Sequence, residues 1–159
     1  MRKLKGENLK EAQKYIDLAV RASKSSKCKK SKRGAVLVRK GKVIGVGYNG
    51  APNGKFCPVC LRENIRDNSR MELCYAIHAE QRAIINALKN GYNLKGSRLY
   101  HIKVKNGKMV PSEDLSCTLC SRMILESDVS EMVLLHSDGL TVYDAEEYND
   151  LSFDYFIKR

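Results

Sequence analysis

The sequence predicts a layered α/β domain, and three observations carry that prediction. Segments with helical hydrophobic spacing alternate with short strand-like runs, the order that packs helices against a sheet. Turn signals at Gly41 and at Asn106-Gly107 separate strand-like runs and mark hairpins. The chain has 159 residues and is 43% apolar, which suits one core, so residues 1–159 read as a single domain.

Residues 7–22 place Leu9, Ala12, Ile16 and Ala19 at helical spacing and read as an amphipathic helix. Residues 23–33 are polar and basic and read as a loop. Residues 34–40 and 42–48 are the two strands of a hairpin around Gly41. Residues 49–73 carry Pro52 and Pro58 and show no period, and so long a loop in a compact domain usually has a function. A helix over 77–89 stops at Asn90-Gly91. Residues 97–105 form a strand that turns back at Asn106-Gly107, and a loop with Pro111 follows. Ser116 is the expected N-cap of a helix over 117–127. Residues 131–136 read as a buried strand and 140–143 as a short one. A last helix covers 144–156, with Asp144 near its cap.

No apolar run reaches the roughly 20 residues of a membrane span. The charged N-terminus lacks the apolar stretch of a secretory signal, so a cytoplasmic protein without a membrane partner is expected. The net charge of +11 is polarised: residues 1–42 hold 15 Lys/Arg against 3 Asp/Glu, and residues 43–159 hold 14 against 15. An anionic ligand near the basic end explains this, and so does a solvated helix face beside a polar loop; charge alone leaves both open.

Cysteine usage narrows the chemistry. In a reducing compartment the clustered Cys28, Cys57, Cys60, Cys74, Cys117 and Cys120 are expected to bind metal or to react rather than to pair as disulfides, and the two-residue spacing of two pairs favours zinc. His78 stands two residues before Glu80 at one expected helix start, and Cys117 and Cys120 lie three apart in the first turn of another. First-turn side chains reach past a helix end, so two helix starts aimed at one spot deliver an imidazole and two thiolates. Helix N-termini favour the thiolate form. Three protein ligands and an open fourth position describe a catalytic zinc, which lowers the pKa of bound water to about 7. Glu80 is then free to carry protons.

His78-Ala79-Glu80 with Cys117-Thr118-Leu119-Cys120 resembles the zinc-dependent nucleobase deaminases, whose signature is H-x-E followed by P-C-x-x-C. Ser116 replaces the proline and can cap the helix that proline would start. Gly47-Tyr48-Asn49-Gly50, the cysteine-bearing segment after it and residues 74–84 are similar to the deoxycytidylate (dCMP) deaminases, over about residues 23–133.

That resemblance implies a three-layer α/β/α cytidine deaminase-like fold with a mixed sheet of about five strands. It implies hydrolysis of dCMP to dUMP and ammonia, one catalytic zinc on His78, Cys117 and Cys120, Glu80 as proton carrier, and a homo-oligomer. It also implies substrate contacts from Asn49 and Ala79, and a second, structural zinc on Cys28, Cys57 and Cys74, for which Cys60, two residues after Pro58, can supply the fourth ligand. The family passes quickly from its third strand to the second zinc motif, whereas residues 102–115 intervene here and are expected to reshape the pocket mouth or a subunit contact. The basic stretch 27–33 is a candidate for attracting a 5′-phosphate. His101 and His136 read as strand residues without a role, and Tyr100 as either core or a flank for the base.

Two other readings compete. A deaminase of tRNA or single-stranded nucleic acid shares the zinc motifs and suits the charge, but the basic quarter holds only Tyr15 for stacking on bases. A non-catalytic zinc-binding module has no use for Glu80.

Overall fold

A computed structural model describes residues 1–158 apart from 68, 113, 114 and 116. In chain order the elements are β1 (Arg2–Lys3), α1 (Gly6–Ser23), β2 (Lys32–Arg39), β3 (Lys42–Tyr48), α2 (Ala79–Lys89) and β4 (Arg98–Lys105). Then come β5 (Lys108–Val110), α3 (Thr118–Glu126), β6 (Glu131–His136), β7 (Gly139–Asp144) and α4 (Ala145–Ile157). The sheet runs β1-β7-β6-β4-β2-β3, and β5 pairs with the end of β4. β4 and β6 are parallel and the other pairs antiparallel. The mixed sheet of about five strands is thus present as β2, β3, β4, β6 and β7, widened by the short β1 and β5.

Side chains alternate across the sheet and split the core in two. Val36, Val38, Tyr100, Ile102, Val133 and Val142 face α1, which answers with Ala12, Tyr15, Ile16 and Ala19. Leu37, Leu99, Met132 and Leu134 face α2, α3 and α4, whose Ala83, Ile84, Ile124 and Tyr148 cover them. Three layers result. Leu9, counted above on the apolar face of α1, is 39% exposed. Tyr100 packs with Tyr15 on the α1 side, ring centroids 5.0 Å apart, which settles its place as core.

The β4–β5 turn follows its sequence: Asn106 and Gly107 both have positive φ, 51° and 74°, as a type I′ turn requires. A different use of glycine sets the height of α2. A Cβ on Gly47 would lie 2.2 Å from the carbonyl oxygen of Ala79, and one on Gly45 would lie 2.3 Å from that of Ala83. The helix therefore rests on β3 at backbone contact, beginning at its first residue. Gly47→Ala is expected to cost about 1–3 kcal/mol through overpacking. Turnover should fall as well, because the displaced helix start carries His78 and Glu80. A denaturant midpoint and a rate measured on the same variant check both effects. Among the described residues no helix is long and apolar enough to cross a membrane.

Candidate active site

Both expected helix starts form, and both point into one cavity. His78 is the N-cap of α2, in extended conformation, and its backbone N–H donates to Gln81 Oε1 at 3.0 Å. On α3 the N-cap is Cys117 rather than Ser116, which lies outside the described residues. The carbonyl of Cys117 accepts from the N–H groups of Cys120 and Ser121 at 2.9 and 3.1 Å, so the turn closes one residue later than expected. Cys120 then sits in the first turn.

His78, Cys117 and Cys120 place their ligand atoms within 4.8 Å of one another. His78 Nδ1 lies 3.1 Å from Cys120 Sγ and 3.5 Å from Cys117 Sγ, and the two sulfurs are 3.8 Å apart. Tetrahedral zinc with usual bond lengths asks for about 3.8 Å between sulfurs and about 3.6 Å between nitrogen and sulfur, so this donor set fits it. Taking the side chains alone, the Cys117 thiol bonds Cys120 and the His78 ring, which outweigh burial and pull its pKa down to about 5. Burial acts to lower His78, but its bonds to Cys117 and Cys74 reverse that and raise it to about 10. Cys120 is pushed up by the Cys117 thiolate and by burial.

Glu80, in the first turn of α2, is 4% exposed. Burial pushes its carboxyl up, yet the His101 and His78 rings and a backbone N–H hold it down at about 2. His101 Nε2 is 3.6 Å from Glu80 Oε1. Burial drives the His101 ring down to about 4 against the pull of Glu80. At neutral pH His101 is therefore uncharged, and its effect on Glu80 is that of a dipole rather than a cation. Among the described residues neither of its ring nitrogens has a hydrogen-bond partner. An orphaned buried polar group costs about 1–3 kcal/mol, so this ring is an expense that packing does not explain. The sequence offered one cue: alternation puts His101 on the face of Leu99, toward the helix starts.

The cavity holds about 640 Å³, within the about 300–1,000 Å³ of small-molecule sites. His78, Glu80, His101, Cys117 and Cys120 all line it. Arg33 stands opposite Lys103 in the β2–β4 register, two residues beyond the Ala35–His101 pair, and Lys105 follows two residues later. At about 3.4 Å per residue, cations thus succeed His101 in steps of about 7 Å. Arg33, Lys103 and Lys105 line the cavity, as do Pro111, Ser112 and Leu115, so described residues of the 102–115 insertion build part of its wall. Within the basic stretch 27–33, Lys30 is engaged elsewhere, donating to the carbonyls of Arg62, at 2.8 Å, and Ile65.

Asn49 lines the same cavity and is 6% exposed. Its Oδ1 accepts from the N–H of Arg33 at 2.8 Å, and its Nδ2 donates to the carbonyl of Ser31 at 3.0 Å. It braces the strand start that carries Arg33. Ala79, the first residue of α2, is fully buried with its methyl in the core, and Ala76 lines the wall instead.

Arg82, four residues after His78, escaped the sequence reading. It donates to the carbonyls of Tyr48, Gly50 and Ala51 at 2.9, 2.8 and 3.1 Å, and it lies over the Tyr48 ring at 4.7 Å. A Gly50–Ile77 bridge, with bonds of 3.1 and 2.8 Å, ties the same segment to the approach of α2. Farther along the loop, the buried Arg62 donates to the carbonyls of Ser69 and Asp67. Of the four remaining cysteines, Cys28, Cys60 and Cys74 line the cavity and Cys57 is exposed. Burial and the neighbouring Cys74, Cys28 and Cys60 raise the Cys57 pKa, so the four share a neighbourhood. They are not drawn together within the 4.8 Å that unites His78, Cys117 and Cys120.

This geometry has relatives. A family profile described as the cytidine and deoxycytidylate deaminase zinc-binding region matches residues 9–136. The chain is 33% identical over 127 residues to the deoxycytidylate deaminase of Mycobacterium phage D29, covering 75% of this chain and 89% of that one. It is 30% identical over 126 residues to the deoxycytidylate deaminase of Saccharomyces cerevisiae, covering 77% of this chain but only 36% of the yeast protein. Among solved structures it resembles the dCMP deaminase of cyanophage S-TIM5 in complex with dCMP and dUMP, at 29% identity and a TM-score of 0.57, covering 81% and 82% of the two chains. With the matching profile spanning most of its length and the three-layer fold in place, the chain belongs to the family defined by the cytidine and deoxycytidylate deaminase zinc-binding region.

Proposed function

We propose that this chain is a zinc-dependent hydrolase that deaminates dCMP to dUMP and ammonia. One observation carries the reading: a His-Cys-Cys donor set and a buried carboxylate lie in a cavity whose wall bears Arg33, Lys103 and Lys105. His78, Cys117 and Cys120 hold the zinc, which supplies a Lewis acid that makes water acidic near neutral pH. Glu80 takes the proton of the attacking water, delivers one to N3 of the cytosine ring and helps protonate the leaving amine. The water oxygen bonds to C4, the bond from C4 to the amino nitrogen breaks, ammonia leaves and the uracil ring remains. Arg33, Lys103 and Lys105 receive the 5′-phosphate through charge-assisted hydrogen bonds. Asn49 meets the sugar with the amide hydrogen not used on Ser31, and Ala79 can meet the substrate only through its backbone. A homo-oligomer, from the family resemblance, belongs to the proposal, as do a single domain over 1–159 and a cytoplasmic location.

Comparing dCMP, CMP, dCTP, deoxycytidine and single-stranded oligonucleotides tests the substrate. dCMP should exceed deoxycytidine in kcat/KM by about 10- to 100-fold for each charge-assisted bond to phosphate. If oligonucleotides or tRNA are deaminated while dCMP is inert, and binding falls steeply with salt, the cations serve nucleic acid and the substrate assignment fails.

A second, structural zinc on Cys28, Cys57, Cys60 and Cys74 belongs to the same proposal. The four thiols border one irregular loop, and a closed four-thiolate shell would fasten it. Elemental analysis should then find two zinc ions per chain. Cys60→Ser should lose one of them and melt earlier, because binding energy at such a site is folding energy. A fully metallated, equally stable Cys60→Ser would remove Cys60 from the ligands.

A further inference from the structure

We infer that His101 is a positioning residue for Glu80, its Nε2–H donating to Glu80 Oε1 in the loaded site and holding the carboxylate toward the reacting base. The inference rests on the reading of Glu80 as the proton carrier. Its first support is the unexplained ring itself. His101 is 1% exposed and both nitrogens are orphaned, although its neighbours on that face, Leu37, Leu99 and Leu134, would pack equally well against an apolar side chain. Native proteins seldom keep a buried polar group without a partner unless function needs it.

The second support is where the ring points. It faces the cavity, and Nε2 is the nitrogen placed 3.6 Å from Glu80 Oε1. That is just beyond a hydrogen bond, and catalytic contacts are often long in a ligand-free enzyme and tighten with substrate. The third is the difference in stiffness between the partners. His101 stands on β4, in register with Ala35 of β2 on one side and Leu134 of β6 on the other. Its backbone is fixed by two neighbouring strands. Glu80 hangs from a helix start on three rotatable bonds. A donor on the rigid element selects among the rotamers of the carboxylate on the flexible one. A neutral ring suffices, since one N–H is all the contact uses.

The test uses the zinc-loaded full chain and three variants. His101→Leu removes both nitrogens. His101→Gln keeps a donor near the position of Nε2, and His101→Asn keeps one near the position of Nδ1. His101→Leu should lower kcat on dCMP by about 10- to 100-fold, the usual cost of a lost supporting partner, with KM little changed. His101→Gln should recover most of the rate and His101→Asn should not. The Tm of His101→Leu, measured without substrate, should equal or exceed that of the wild type, because at 3.6 Å the ring has no hydrogen bond to lose. A damaged fold would move rate and Tm down together. Unchanged kcat in His101→Leu, or rescue by Asn as good as by Gln, overturns the inference.

Should His101→Leu fail to fold, the Gln and Asn variants still decide. A second readout needs no turnover: the chain has three histidines, so ¹⁵N-labelled imidazoles can be assigned one by one. His101 should be the Nε2–H tautomer, and its resonance should move in Glu80→Ala. An Nδ1–H tautomer, or indifference to Glu80→Ala, contradicts the contact. A wild type that deaminates no cytosine compound would instead sink the functional reading, and the ring spectrum would still judge the contact separately.

Discussion

Glu80→Gln should lower kcat on dCMP by about 10²–10⁴-fold, the range of a general acid–base group, with the loss toward the upper end because one carboxylate serves more than one proton transfer. Glutamine has nearly the volume of glutamate and can still accept a hydrogen bond from His101, so the buried first turn of α2 keeps its packing. What it cannot do is take a proton and give it back. The first transfer needs Glu80 ionised, and against burial the neighbouring His101 and His78 rings act in that direction. Zinc content should stay at the wild-type level, since the carboxylate is outside the His78–Cys117–Cys120 donor set. Substrate binding should change far less than kcat. Near-normal turnover in this variant would remove Glu80 from the chemistry.

Cys120→Ser attacks the other half of the site. Cys120 is 1% exposed and 3.1 Å from His78 Nδ1, so its sulfur is at the centre of the donor set. A serine oxygen sits closer to its Cβ, is harder and stays protonated, so the third ligand is lost rather than weakened. Zinc affinity should fall by more than the about 10–100-fold that a lost outer partner costs, and turnover should fall with it. The helix itself should persist, because the N-cap role belongs to Cys117 and the backbone bonds of α3 do not use the Cys120 side chain. A further consequence is thermodynamic: zinc that binds only the folded state raises the wild-type Tm, and this variant should show almost none of that shift. A variant that retains zinc and the shift would place the ligand elsewhere.

Local patterns announced most of the framework. The helical spacing of α1 and the apolar runs of β2, β3 and β6 read directly, as did the Asn106-Gly107 turn. The His-x-Glu and Cys-x-x-Cys pair read because each spans a few residues at a helix start, where spacing and geometry coincide. What stayed hidden depends on pairings between distant segments. Arg33 and Lys103 become neighbours only through the β2–β4 register, so the cationic wall was half visible, as the basic stretch 27–33, and half absent. His101 looked like any strand residue until β4 was set beneath α2. Arg82 holds the Tyr48–Ala51 segment through backbone carbonyls, which carry no side-chain signature. β1 is two charged residues at a sheet edge and has no period to read. The α3 cap moved by one residue, from Ser116 to Cys117, because several adjacent residues could serve and the closing turn selects among them.

Zinc held by His78, Cys117 and Cys120 is proposed to support deamination of dCMP. The most direct test is dUMP and ammonia release by the purified chain as isolated, after removal of metal with a chelator, and after zinc is returned. Equal amounts of dUMP and ammonia are expected from the metal-loaded protein, no turnover from the stripped protein, and recovery on adding zinc back. Undiminished turnover by the stripped protein, or dCMP left intact by a fully zinc-loaded one, would contradict the proposal.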